Sequence, residues 1–389
     1  MQIYLDYSAT TPTRPESIDA MQKAIAQQWG NPSSLHEWGQ RAATALELAR
    51  MQVASLINAL PESMIFTSGG TEADNLAIMG IARLYTTPQH IIISSVEHSA
   101  VSETARQLEQ WGWEVTRLQV DKLGRVHPWD LQQSVRSNTV LISIIYGQSE
   151  VGTLQPIEAL GKIARDRDIL FHTDAVQVAG RLPIDVQKLP VDLLSLSSHK
   201  LYGPQGAGAL YVRPGVKLAP ILTGGGQELK LRSGTQAVPI IVGFGVAAEL
   251  ASQEMDGETA RLIELRDRLF DGLAHVPSLV PTGDRYCRLP HHVSFCIVSP
   301  DCDPGKVTGK TLVRQLNLAG IGISSGSACN SGKLTPSSIL LAMGYSKTMA
   351  ICGIRLSLGR ETTEADIDWT AKAIEQILER LIPKVALCK

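Results

Sequence analysis

The sequence predicts an α/β protein: a mainly parallel, mixed sheet in a large domain, with a smaller α+β domain attached. Three observations carry that expectation. From about residue 60, short apolar segments alternate with amphipathic helical ones, the pattern of a parallel sheet covered on both faces. The apolar segments lack a polar-every-second-residue rhythm, so both of their faces are buried. The chain has 389 residues, more than one compact domain usually holds.

The elements follow in order. Met64-Ile65-Phe66-Thr67 reads as a strand, followed by a helix from Glu72 to about Leu84. Ile91–Ser94 is a strand, followed by a helix over about Ala100–Trp111. Val140–Ile145, Ile169–His172, Leu193–Leu196 and Ala209–Val212 supply further strands. A helical stretch over roughly Ile240–Leu273, with a break expected near Gly257, connects the domains. Strands near His292–Val298 and Gly353–Leu358 follow, then a last helix over Glu364–Leu381. The large domain is expected over residues 14–250. Residues 1–13 and 251–389 form the small domain, which carries a Ser/Gly-rich loop at about 322–335.

Composition narrows the function. Hydrophobic residues make up 44% and charged residues 19%, with a formal net charge of −2. These values suit a globular enzyme, and the lack of a basic run gives no sign of a nucleic-acid partner. No apolar run reads as a membrane span, and the N-terminus lacks signal-peptide features. A cytoplasmic location is expected. The six cysteines include no CxxC pair, so no metal site is expected and free thiols are.

The chemistry gathers at strand ends, where ligands collect in such sheets. Lys200 ends the run Leu193-Leu194-Ser195-Leu196-Ser197-Ser198-His199-Lys200. A lysine partly withdrawn from water loses its proton readily and becomes an imine-forming nucleophile. Neighbouring hydroxyls and the His199 imidazole can hold an anion beside it. Ser68-Gly69-Gly70-Thr71-Glu72 opens a helix after a strand, a second anion site made of backbone N–H groups and the helix dipole. Asp174, in His172-Thr173-Asp174-Ala175-Val176-Gln177, can pair with a pyridinium nitrogen. Gln177 can donate to the ring phenolate oxygen, and His98 can stack on the ring and move protons. Phosphate turn, ring aspartate and lysine in this order point to pyridoxal 5'-phosphate (PLP).

Across nearly the whole chain these residues resemble the cysteine desulfurases, enzymes of the aspartate-aminotransferase fold (PLP fold type I). The resemblance rests on Tyr4–Pro12, Gly30–Ser34, Thr67–Asn75, Val96-Glu97-His98, His172–Gln177, Ser198–Pro204, Gly224–Glu228, Arg232–Thr235, Ile323–Cys329 and Ile354–Arg360. It implies that Gly70, Thr71, Ser197 and His199 hold the phosphate. Thr235 would reach it from the second subunit of a homodimer. Asp174 and Gln177 would contact the ring, and His98 would cover it. Ser149 stands beside the ring where the family usually has asparagine. Asn31 and Arg355 would bind the substrate carboxylate. Cys329, in Ser324-Ser325-Gly326-Ser327-Ala328-Cys329, would take sulfur from L-cysteine as a persulfide. An iron–sulfur scaffold or a sulfur carrier would receive it. Lys200 would then both hold the cofactor and move the α-proton. A PLP-dependent cystine or selenocysteine lyase is the alternative, since it would use the same motifs without Cys329.

Overall fold

The computed structural model describes residues 2–298, 307–326 and 335–382. Its centre is a seven-stranded sheet in the order Met64–Thr67, Gly208–Val212, Leu193–Ser197, Leu170–Asp174, Thr139–Ser143, His90–Ser94, Glu114–Leu118. The pairings among the last five strands of that order are parallel. Gly208–Val212 runs antiparallel to both of its neighbours. The chain reverses just past Lys200, through a turn in which Gly206 takes a φ of 89°, open to glycine at little cost. Six of the strands are almost wholly buried. Helices cover both faces, with apolar clusters around Phe171, Leu194 and Phe244 on one side and Leu76, Ile81 and Leu108 on the other.

A four-stranded antiparallel sheet lies apart from it, in the order Ser324–Ser325, Gly353–Ser357, His292–Ile297, Leu279–Pro281. Ile3–Tyr4 pairs parallel with Ile321–Gly322. Its core joins Ile3 and Leu5 to Leu265, Phe295, Leu356 and Ile374, so the first residues pack against the last. The closing helix Glu364–Leu381 starts in a capping box between Thr363 and Asp366, which satisfies two otherwise orphaned N–H groups.

One helix, Val238–Leu273, runs through both cores without a break. Its first half places Ile241, Phe244 and Ala248 in the large-sheet cluster, and its second half places Leu262, Leu269 and Phe270 in the other. The break expected at Gly257 does not occur. A β-carbon there would touch nothing, so the glycine sits on an open face, where it lowers helix stability by only about 1 kcal/mol. By length and composition this helix could cross a membrane, but half of its most apolar window is buried inside the protein. It is the helix on which Pro15–Gln27 and Glu37–Ser55 pack.

Glu114–Leu118 is not visible in the apolar pattern, because as an edge strand it exposes Glu114 and Arg117. The helix after Thr67 begins at Gly70, two residues before Glu72.

Candidate active site

The carboxyl ends of the neighbouring strands Leu170–Asp174 and Leu193–Ser197 meet the Ser68–Asn75 turn. The helix Gly70–Ala82 starts with no side-chain cap, so its first N–H groups are free to bind an anion. A β-carbon on Gly70 would come within 2.8 Å of Val176 Cγ2 and 3.4 Å of Ser197 Cβ. Glycine therefore lets the turn close onto Ser197. A β-carbon on Gly208 would strike the Gly69 backbone at 2.5 Å, so the reversal after Lys200 also presses on this turn. Thr71 is exposed beside it. His199 has Nδ1 3.0 Å from Thr10 Oγ1.

Lys200 lies in a three-residue turn at the end of Leu193–Ser197. Its Nζ donates to Ser8 O and Ala9 O, both at 2.7 Å. Burial pushes its pKa down to about 8, assisted by the charge of Arg355 and opposed by Asp174 and Asp6. The amine is thus unprotonated far more often than a surface lysine. Asp174 is 6% exposed and accepts the Val176 N–H at 2.9 Å. One polar atom from each of Asp174, His98 and Asp74 falls within a 4.8 Å group. No metal ligand is expected from the sequence, yet this trio has ligand spacing. The positive field of Lys200 acts on Asp174 and opposes a second cation there. His98 is exposed, and its Nδ1 caps the helix Ser99–Gln110 by accepting Ala100 N–H at 3.1 Å. Its other ring nitrogen is left to meet a ligand.

Gln177 departs from expectation in part. Its Nε2 donates to Ser8 O at 2.9 Å, so one amide hydrogen is committed to the N-terminal segment. Its buried Oε1 has no partner among the described residues. Only the second amide hydrogen is left for a ring oxygen.

The opposite wall is an ion pair. Arg355 Nη2 lies 2.6 Å from Asp6 Oδ1, and Nη1 donates to Ser149 O at 3.0 Å. His292 Nε2 lies 3.1 Å from the same carbonyl. Burial and the nearby arginines hold His292 well below its usual pKa, so its neutral ring donates there. Arg355 Nε is buried and has no partner among the described residues. Ser149 thus holds its place through its main chain. Next to it, Glu150 is bonded to the Ser337 hydroxyl, and burial raises its pKa to about 7.

Two expected residues make no hydrogen bond to this cluster among the described residues. Asn31 is exposed, and its Oδ1 accepts Ser33 N–H at 2.9 Å. Thr235 is exposed and has no hydrogen bond to the cluster. Cys329 lies outside the described residues. Of the other thiols, Cys296 and Cys352 are buried and Cys287 is exposed. Burial pushes Cys296 up to about 12, so it remains a thiol. Sequence reasoning missed Asp6, Asp74 and Glu97. The signal for Asp74 and Glu97 was an acid within a segment otherwise fated for burial.

Residues 3–369 match the profile of the aminotransferase class-V family. The cysteine desulfurase IscS of Dictyoglomus turgidum is 45% identical, over 98% of this chain and 95% of that one. The IscS of Methanosarcina thermophila is 46% identical, over 97% and 92%. Among solved structures, a NifS-like protein superposes with a TM-score of 0.90 at 35% identity, covering 98% of this chain and all of that one. A NifS-like protein from Rickettsia africae gives 0.87 at 30%, over 97% and 100%.

The chain belongs to the aminotransferase class-V family, whose members of this kind depend on PLP. Within it, the chain stands among the cysteine desulfurases. The residues fit that cofactor. The uncapped helix start suits a phosphate, a lysine amine faces the same space, and a buried carboxylate without a basic side chain bonded to it suits a ring nitrogen.

Proposed function

We propose that this protein desulfurates L-cysteine to L-alanine, and that the sulfur passes through Cys329 to an acceptor protein. The observation that carries this reading is Lys200. It is a largely buried amine with a pKa near 8, set between the Asp174 carboxylate and the Arg355 guanidinium, in a chain of the desulfurase family.

Bound PLP supplies the electron sink that acidifies the substrate's α-proton. The chain's own residues do the rest. Gly70, Thr71, Ser197 and His199 hold the phosphate. Asp174 faces the ring nitrogen, Gln177 and Ser149 flank the ring, and His98 covers it. Arg355 takes the substrate carboxylate bidentately, assisted by Asn31. Lys200 removes the α-proton as general base and returns it one atom away. The Cys329 thiolate attacks the substrate sulfur. A sulfur–sulfur bond forms, the carbon–sulfur bond breaks, and its electron pair stays with the three-carbon skeleton. Protonation of that skeleton gives alanine, and the sulfur remains on Cys329 as a persulfide.

Three finer points belong to this reading. A homodimer is supported by apolar side chains left in water near Asn31 and Thr235. Leu35 is 93% exposed, Leu229 68% and Trp29 65%, which is unusual for a surface that stays wet. Thr235 would then complete the partner's phosphate site. The sulfur acceptor would be an iron–sulfur scaffold or a sulfur carrier, and the enzyme would work in the cytoplasm.

The test follows products and the thiol together. With L-cysteine, the protein should form alanine, and the Cys329 peptide should gain one sulfur. Cys329→Ser should keep the visible cofactor and stop sulfide release in the presence of reductant. Pyruvate and ammonia in place of alanine, at a rate unchanged in Cys329→Ser, would establish the lyase reading.

A further inference from the structure

Asp74 is a buried acid with no task in the reaction above. It projects from the first turns of Gly70–Ala82 and is 1% exposed. Its Oδ1 has no hydrogen-bond partner among the described residues. A carboxylate oxygen of Asp174 lies within 4.8 Å. Two buried carboxylates at such a distance cannot both be charged.

The surroundings decide which one keeps the proton. Burial raises the pKa of both acids, but at Asp174 the field of His98, the Val176 N–H at 2.9 Å and the field of Lys200 oppose the rise. At Asp74 the Ser195 hydroxyl opposes it, and a ring nitrogen of His98 lies within 4.8 Å, but no backbone N–H bond to it is seen among the described residues. Among the described residues the nearest basic atom to it is His172 Nε2, 3.6 Å away. Burial drives His172 down to about 3, and its two nitrogens meet the hydroxyls of Ser143 at 2.8 Å and Ser195 at 3.0 Å. That ring is neutral and offers Asp74 no charge. Glu97, from the segment before Ser99–Gln110, adds further negative influence.

We propose that Asp74 is the proton-bearing member of a buried acid pair, and that it keeps Asp174 as the charged partner of the cofactor's ring nitrogen. The proposal rests on the reading that PLP binds here. Asp74 is a positioning residue, because it acts through Asp174. With Asp74 neutral, the pair carries one negative charge, which matches the single charge of a ring N–H⁺. A second charge at position 74 would instead raise the proton affinity of Asp174 and disorder its geometry.

Asp74→Asn and Asp74→Ala test this. Asparagine keeps the shape and cannot ionise; alanine leaves a cavity beside Asp174. In the holoenzyme, Asp74→Asn should hold PLP within about threefold of the wild-type affinity, and its visible band should stay constant from about pH 6 to 9. Asp74→Ala should release PLP about tenfold more readily, because the cavity it leaves beside Asp174 lets that carboxylate shift. Infrared difference spectra should show one protonated carboxyl fewer in Asp74→Asn, against a background from the buried acids Glu97 and Glu150. An unchanged carboxyl count means Asp74 is ionised and overturns the proposal. So does a tenfold loss of PLP in Asp74→Asn, or unchanged affinity and spectrum in Asp74→Ala. The infrared count reads equally on PLP-free protein. A wild-type chain that binds no PLP would therefore defeat the cofactor reading, while the count still decides the protonation of Asp74.

Discussion

The floor of the site and its opposite wall are built on different principles. The floor, Asp174 with His172 and Ser195, comes from adjacent strand ends and is 6% exposed or less. Its charges are kept few: His172 is neutral, and the two aspartates compete for one proton. The wall, Arg355 with Asp6 and Ser149, joins residues 349 apart in sequence, and its charges are complete. There a guanidinium already holds a carboxylate. A floor of this kind suits a group that stays bound, because rearranging buried charges is costly. A wall made of an ion pair suits a group that comes and goes, because one carboxylate can exchange for another.

The largest effect should come from the residue between the two. Lys200→Ala removes the base that moves the α-proton, and desulfuration should fall by about 10²–10⁴-fold or more. Single-turnover alanine formation is the measurement. A fall of less than tenfold would leave proton transfer to some other group and end the distinction between floor and wall as supports for one lysine.

Lys200 also gives a stability effect whose sign is set by the floor. Its folded pKa is near 8 against an ordinary 10.5. Between those values the unfolded chain binds more protons, so stability rises with pH across about 8 to 10.5. Below pH 8 the full penalty of burying the ammonium is present. In PLP-free protein, Lys200→Met should therefore be more stable than wild type at pH 7, by about 1–3 kcal/mol after allowance for partial exposure. The gap should close as the pH approaches 10. Urea melts at the two pH values check it, and a gap that widens with pH would show that the lysine is not desolvated by this floor.

On the wall, Arg355→Ala should raise KM for cysteine by about 10–100-fold, the scale of a lost charge-assisted hydrogen bond. Cofactor content should remain as in wild type. Loss of PLP instead would mean that the wall holds the floor in place and is no separate exchange surface.

The same contrast explains what could be read from the sequence. Strand ends announce themselves, because an apolar run must stop somewhere and the residues that stop it are polar. Lys200, Asp174 and the Ser68–Asn75 turn were legible for that reason, as was the mixed sheet that carries them. Glu114–Leu118 was not, since an edge strand needs one buried face and shows no continuous apolar run. The unbroken helix through Gly257 was misread because propensity is a weak guide once two cores hold the ends of a helix. Asp74 looked like an ordinary acid near a helix start, favoured there by the dipole. Only packing against Asp174 and His172 shows that it is dry. The Asp6–Arg355 pair was equally hidden, because nothing local links a residue of the first strand's flank to one in a strand near the chain's end.

Asp6 gives the smallest and most discriminating effect. In this structure its carboxylate lies 2.6 Å from the nitrogen assigned to the substrate. If it stands in for the substrate carboxylate, binding requires an exchange, and the strength of the resident pair is subtracted from affinity. Asp6→Asn keeps the shape and removes the charge. It should lower KM for cysteine by about two- to fivefold, the effect of a partly exposed ion pair, with kcat unchanged. Added salt should narrow the difference, since screening weakens the resident pair in the wild type. The opposite sign is equally readable. A rise in KM would show that Asp6 orients the guanidinium and does not compete for it. In that case the wall, like the floor, is a preset structure, and the exchange that separates the two does not take place.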